Sequence, residues 1–182
     1  MKKKDLENSE TSFSNIPTRI LAEMVLMIAL SSALYLIKPI TLPQGGAVTL
    51  GSMIPIILFS LRRGCKLGIL AGIIFGLVVL IEEPFIYHPL QVILDYPIAF
   101  GSLGLAGLTR KIPLIGVGIA IAGRFFAHFL SGIVFFASFV PEGVNPVMYS
   151  IIYNGSYLSL EFIISIILIY SLIKRNIFRI YQ

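Results

Sequence analysis

Charge is scarce in this chain. Only 13% of its 182 residues are Asp, Glu, Lys or Arg, 57% are hydrophobic, and the mean hydropathy is +0.92. A soluble domain of this length carries roughly twice that charged fraction. The composition therefore reads as an integral membrane protein with room for one compact bundle and no soluble domain. Cysteine occurs once, at Cys65, which excludes an intramolecular disulfide. Histidine occurs twice, so a histidine-rich metal site is excluded as well. There is no G-x-x-x-x-G-K-[ST], so the chain cannot hydrolyse ATP by a P-loop. It also lacks H-E-x-x-H, a nucleophile elbow and any Cys/His metal cluster. No internal repeat is visible, which gives an inverted-repeat carrier no support.

What is present is a series of apolar runs separated by polar turns. Residues 1–18 are polar and read as a cytoplasmic tail. A signal peptide is the competing reading, with Ala29-Leu30-Ser31-Ser32-Ala33 as a weak cleavage site, but the long, partly acidic start suits it poorly. The runs predict helices over Arg19–Ile37, Val48–Leu61, Leu67–Ile81, Leu90–Leu108, Ile115–Ala137 and Met148–Ile173. Most approach the ~20 residues a span needs. The second is shorter, so either it tilts or its loop dips into the protein. Gly68, Gly72 and Gly76 recur every four residues and predict a close helix contact.

The basic residues set the orientation. Of the fourteen Lys and Arg, all but Lys38 and Arg124 fall on one side of a six-helix arrangement. By the positive-inside rule this predicts a six-transmembrane-helix, all-α bundle over residues 19–175 with both termini cytoplasmic, the second tail being 176–182. The net charge of +5 therefore reads as topology, not as a nucleic-acid footprint.

Against that apolar background the interior polar residues stand out. Asp95 lies well inside the fourth run, where an ionised carboxylate at a helix centre costs about 2.5–3.5 kcal/mol unless it meets a cation, a wet cavity or a bundle interior. Arg124, His128, Gly132 and Phe136 follow at four-residue spacing and form one gently winding stripe, a plausible pocket wall. Two plainer readings stand beside it: Asp95 and Arg124 neutralise each other, or His128 bonds a neighbouring helix. Tyr149, Tyr153 and Tyr157 form a second stripe, which taken residue by residue reads as an interfacial aromatic belt. Asn154 is a buried amide that needs partners. Glu23 and Glu161 read as packing or coupling residues. A small membrane enzyme with Asp95 and His128 as an acid–base pair is a further alternative.

Five ordered motifs carry a resemblance. They are Leu42-Pro43-Gln44-Gly45-Gly46; Ser60-Leu61-Arg62-Arg63-Gly64; His88-Pro89-Leu90-Gln91 with Leu94-Asp95-Tyr96; Arg124-Phe125-Phe126-Ala127-His128 with Ser131-Gly132; and Tyr149-Ser150 with Tyr153-Asn154-Gly155. In order and spacing they resemble the thiamine-specific substrate-binding (S) component of energy-coupling factor (ECF) transporters, the ThiT family, over nearly all of residues 19–175. The resemblance implies a multi-pass S component of the cell membrane that takes thiamine from outside. It implies two further sets of partners, a transmembrane coupling subunit and two cytoplasmic ATPases, and no cofactor. It places ligand contacts at Asp95, Tyr96, Arg124, His128, Gly132, Phe136, Tyr149 and Asn154, with Gln44 on a loop that closes over the ligand. Docking on the coupling subunit falls to Val25, Ala29 and Ala33, where the family carries A-x-x-x-A. The family often has Glu at the place of Asp95 and stacks its ligand on tryptophan, which this chain lacks entirely. The alternative ligand is another vitamin or a precursor such as hydroxymethylpyrimidine.

Overall fold

The computed structural model describes residues 16–175, so the expected tails at 1–18 and 176–182 lie almost wholly outside the described residues. Six helical segments of ten residues or more run in the expected order. They are α1 (Thr18–Tyr35), α2 (Ile54–Arg63), α3 (Cys65–Glu82), α4 (Pro89–Thr109), α5 (Pro113–Phe135) and α6 (Pro146–Lys174). Five of them are long and apolar enough to cross a membrane, and α2 is not. Large apolar side chains point outward along the long helices, among them Val25, Leu26, Ile81 and Val134. Such a surface is a liability in water and a match for lipid.

Local chemistry sets the helix starts. Pro113 and Pro146 stand at first-turn positions that need no N–H. Asn145 caps α6, its Oδ1 accepting from the Val147 N–H at 2.8 Å. His88 caps α4 and Gln91 completes a capping box with it.

The short second helix has a physical reason. Residues Ile54–Leu61 of α2 are buried on every side, so α2 faces protein all round. The irregular chain before it dips into the protein too: Thr49, Ser52 and Met53 are buried. Non-helical backbone is tolerated there because its polar groups are met. Ser52 N–H donates to Thr49 Oγ1 at 3.2 Å, and Thr49 N–H donates to Glu161 Oε1 at 2.5 Å. Upstream, a two-residue antiparallel ladder joins β1 (Ile40–Thr41) to β2 (Ala47–Val48). The apolar run from Val48 predicts a helix start there; pairing with Ile40 holds Val48 extended instead.

The glycine stripe does what its spacing predicts. A Cβ on Gly76 would lie 2.5 Å from the Tyr96 carbonyl, and one on Gly72 would collide with the Phe100 carbonyl. Helix α3 therefore lies directly on the backbone of α4 and holds the Asp95–Phe100 segment in place. At the opposite end of the bundle, Arg62 and Arg63 both pair with Glu23. Arg110 donates to the Leu61 carbonyl at 2.9 Å there.

Candidate functional site

Asp95 sits in a distortion of its own helix. Pro97 has no N–H to give the preceding turn, and the helix opens into a π-turn over Leu94–Ile98, where Ala99 N–H reaches back to the Leu94 carbonyl. The turn presents the Asp95 carboxylate to a pocket. Its walls come from the ends of α1, α4, α5 and α6 and from the three loops at that end, and the space between them is about 850 Å³, including the part open to solvent. The basic cluster of Arg62, Arg63 and Arg110 is at the other end.

All nine residues expected to touch ligand line this pocket: Gln44, Asp95, Tyr96, Arg124, His128, Gly132, Phe136, Tyr149 and Asn154. Asp95 accepts three hydrogen bonds. Gln91 Nε2 donates to Oδ2 at 2.8 Å, Ser131 O–H donates to Oδ2 at 2.9 Å, and His128 Nδ1 lies 3.0 Å from Oδ1. A carboxylate offers about four acceptor sites, so Asp95, which lines the pocket, keeps acceptor capacity beyond these three bonds.

Asp95 and Arg124 do not neutralise each other directly. Arg124 donates through Nε to His128 Nε2 at 3.3 Å, and its guanidinium lies 4.2 Å from the centroid of the Phe100 ring. With Nε2 accepting, the His128 proton belongs on Nδ1, where it donates to Asp95. The imidazole, one helical turn from Arg124 on α5, thus stands between that cation and the carboxylate of Asp95 on α4. The histidine does bond a neighbouring helix, as the plainer reading held, but it does so as a member of the pocket wall.

Two of the expected contacts spend their polar atoms elsewhere. Tyr96 Oη accepts from Phe85 N–H at 2.8 Å and donates to the Glu83 carbonyl at 2.9 Å, so its hydroxyl ties down the α3–α4 loop. Asn154 Nδ2 donates to the Ser150 carbonyl at 3.0 Å and reaches the His128 carbonyl at 3.4 Å, bridging α6 to α5. Gln44 differs. Its Oε1 is buried with no hydrogen-bond partner among the described residues. It also sits at φ 60°, the one non-glycine in the left-handed region there.

The aromatic wall is larger than the sequence suggested. Phe136 stacks on Phe85 at 5.8 Å and on Tyr87 at 6.1 Å between centroids. Phe136 itself lies just past the end of α5. The tyrosine stripe is not an interfacial belt: Tyr149, Tyr153 and Tyr157 all line the pocket, and Tyr157 is buried. Its hydroxyl donates to Asn154 Oδ1 at 3.1 Å. Residues of the site that sequence reasoning does not single out include Tyr35, Phe85, Gln91, Phe100 and Ser131. Gln91 was legible, since it stands four residues before Asp95 on one helix face. Ser131 and Phe100 carried no such signal.

Val25, Ala29 and Ala33 are exposed along one side of α1, away from the pocket. Glu161 is buried, and its Oε1 accepts from both Thr49 N–H and Thr49 O–H, the latter at 2.7 Å. No group of three His, Cys, Asp or Glu is placed to hold a metal ion among the described residues.

The chain is similar to known proteins. The profile of the family described as Thiamine transporter protein (Thia_YuaJ) matches residues 21–180. A protein of Bacillus subtilis (strain 168) named thiamine transporter ThiT is 34% identical over 170 residues, covering 82% of this chain and 87% of that one. One of the same name from Lacticaseibacillus paracasei is 34% identical over 137 residues, covering 64% and 68%. The solved structure of ThiT from Listeria monocytogenes superposes with a TM-score of 0.82 at 24% identity, over 91% of this chain and 98% of that one, which establishes a shared fold.

Proposed function

Because this chain belongs to the thiamine transporter protein family, we propose that it is the substrate-binding S component of an ECF transporter and binds thiamine at Asp95. Its relatives are named transporters, not enzymes, and the Asp95–His128 contact therefore serves to hold a carboxylate in position, not to move a proton in a reaction.

The observation that carries the reading is the Asp95 carboxylate, which lines the pocket within an aromatic wall and is fixed there by three hydrogen bonds. Thiamine has a permanently cationic thiazolium and an aminopyrimidine with donors and acceptors. Asp95 offers the negative charge. Phe136 and Tyr149 offer ring faces, with cation–π attraction to the thiazolium. Gln44 Oε1 offers an unspent acceptor to the amino group. Ligand pockets reach specificity with a few such placed polar groups in an apolar wall.

The pocket end is the end opposite the basic cluster, which under the positive-inside rule is external. With no P-loop of its own, the chain depends on separate ATPase subunits, reached through a transmembrane coupling subunit that docks on Val25, Ala29 and Ala33. Both termini are then cytoplasmic.

Isothermal titration of the purified protein with thiamine, hydroxymethylpyrimidine and the hydroxyethylthiazole half tests this. Thiamine is expected to bind one to one and far more tightly than either half. Hydroxymethylpyrimidine binding as tightly as thiamine would replace vitamin with precursor, and no heat with any of the three would overturn the reading.

A further inference from the structure

Tyr153 turns its ring to the pocket, but its hydroxyl is spent on the α1–α2 segment. The Gly46 N–H donates to Tyr153 Oη at 3.0 Å, and the Tyr153 O–H donates to the Pro43 carbonyl. Those two backbone groups bracket the tip of the segment, a single tight turn over Pro43–Gly45 closed by Leu42 N–H on the Gly46 carbonyl at 2.6 Å. The tip carries Gln44, and residues 44–47 form one wall of the pocket.

The contact is close. A Cβ on Gly46 would lie 2.7 Å from Tyr153 Oη and 3.1 Å from Tyr157 Cδ1, so an alanine there would press on the Tyr153 hydroxyl that the tip backbone rests against. Two turns further along α6, Glu161 accepts both hydrogen bonds from Thr49 at the stem of the same segment. One helix therefore holds the segment twice. The stem contact is buried and the tip contact with Pro43 is exposed. Exposed, locally closed contacts are the first to open.

We propose that Tyr153 is the latch of the pocket: its hydroxyl keeps the Pro43–Gly46 tip in place, while the Glu161–Thr49 contact stays fastened as the hinge. Tyr153 is then a positioning residue, acting on ligand through the tip it holds. That the ligand retained is thiamine rests on the function proposed above; that the tip is latched does not.

Tyr153→Phe keeps the ring and removes both hydrogen bonds. Gly46→Ala attacks the same contact from the other partner. The ligand-free protein is spin-labelled at Thr41 and Val147, both exposed, in a Cys65→Ser background, and the distance between labels is measured by pulsed electron paramagnetic resonance. Each variant is expected to broaden the distribution toward longer distances, and the double variant to do no more than either alone, as groups sharing one interaction behave. In parallel, labelled thiamine chased from the purified protein is expected to leave Tyr153→Phe about ten-fold faster, the scale of two modest hydrogen bonds, with association little changed. Unaltered distances in both single variants overturn the latch whatever the ligand does. Failure of the unsubstituted protein to bind thiamine counts against the proposed ligand alone, because the distance measurement needs none.

Discussion

Asp95→Asn is expected to weaken thiamine binding by about 2–5 kcal/mol, the cost of truncating one partner of a buried charge pair. At 1.4 kcal/mol per decade that is roughly thirty-fold to several-thousand-fold in Kd. The substitution keeps the shape of the side chain and removes its charge. It also replaces one acceptor oxygen with a donor, facing Gln91 Nε2 and Ser131 Oγ, which both donate to Oδ2. The bulk of the loss falls on the ligand because Arg124 reaches Asp95 only through His128 and does not supply the missing partner. Titrating the variant with hydroxymethylpyrimidine as well as thiamine separates two geometries. If Asp95 meets the thiazolium, the pyrimidine half is nearly indifferent to the substitution. If Asp95 accepts from the amino group, both ligands weaken together. Undiminished thiamine affinity in a folded variant removes Asp95 from the site.

The second large effect is expected at Phe136. Its ring lies among aromatic neighbours, stacked on Phe85 and tilted against Phe139, both 5.8 Å away between centroids. Stacking of an aromatic base on a side chain is worth about 1–3 kcal/mol by alanine substitution, and a cationic ring adds attraction to the π face. Phe136→Ala is therefore expected to raise the Kd for thiamine by roughly five- to a hundred-fold in the same titration. Phe136→Trp, which enlarges the face, is expected to tighten it. Equal affinities for all three proteins would assign the stacking surface to Tyr149 or Phe85 instead.

Much of this site is written in local spacing. The Arg124, His128, Gly132, Phe136 stripe and the three-tyrosine stripe follow from four-residue intervals, and the structure brings both to one pocket. The Gly68, Gly72, Gly76 stripe likewise names its own function, since its meaning is the absence of a side chain. Spacing says which residues share a face but not what that face meets. Asp95 finds His128 and Ser131 across 33 and 36 positions, and Tyr153 finds Pro43 across 110. Those pairings depend on how helices rotate against one another, which a one-dimensional period does not contain.

Two misreadings have the same origin. Apolar residues after Val48 resemble the start of a helix, yet ladder pairing with β1 and the hydrogen bonds of Glu161 hold Val48 and Thr49 out of it. Tyrosines near a helix end resemble an interfacial belt, yet three of them face inward. In each case a tertiary contact overrides a preference that is real but weak.

The most direct test of the central claim is a structure of the purified protein with thiamine bound. The expected result is a single thiamine in the pocket, one ring against Phe136 and one polar or cationic group in contact with Asp95. Thiamine density lodged elsewhere, or a pocket left empty at saturating thiamine, would contradict it.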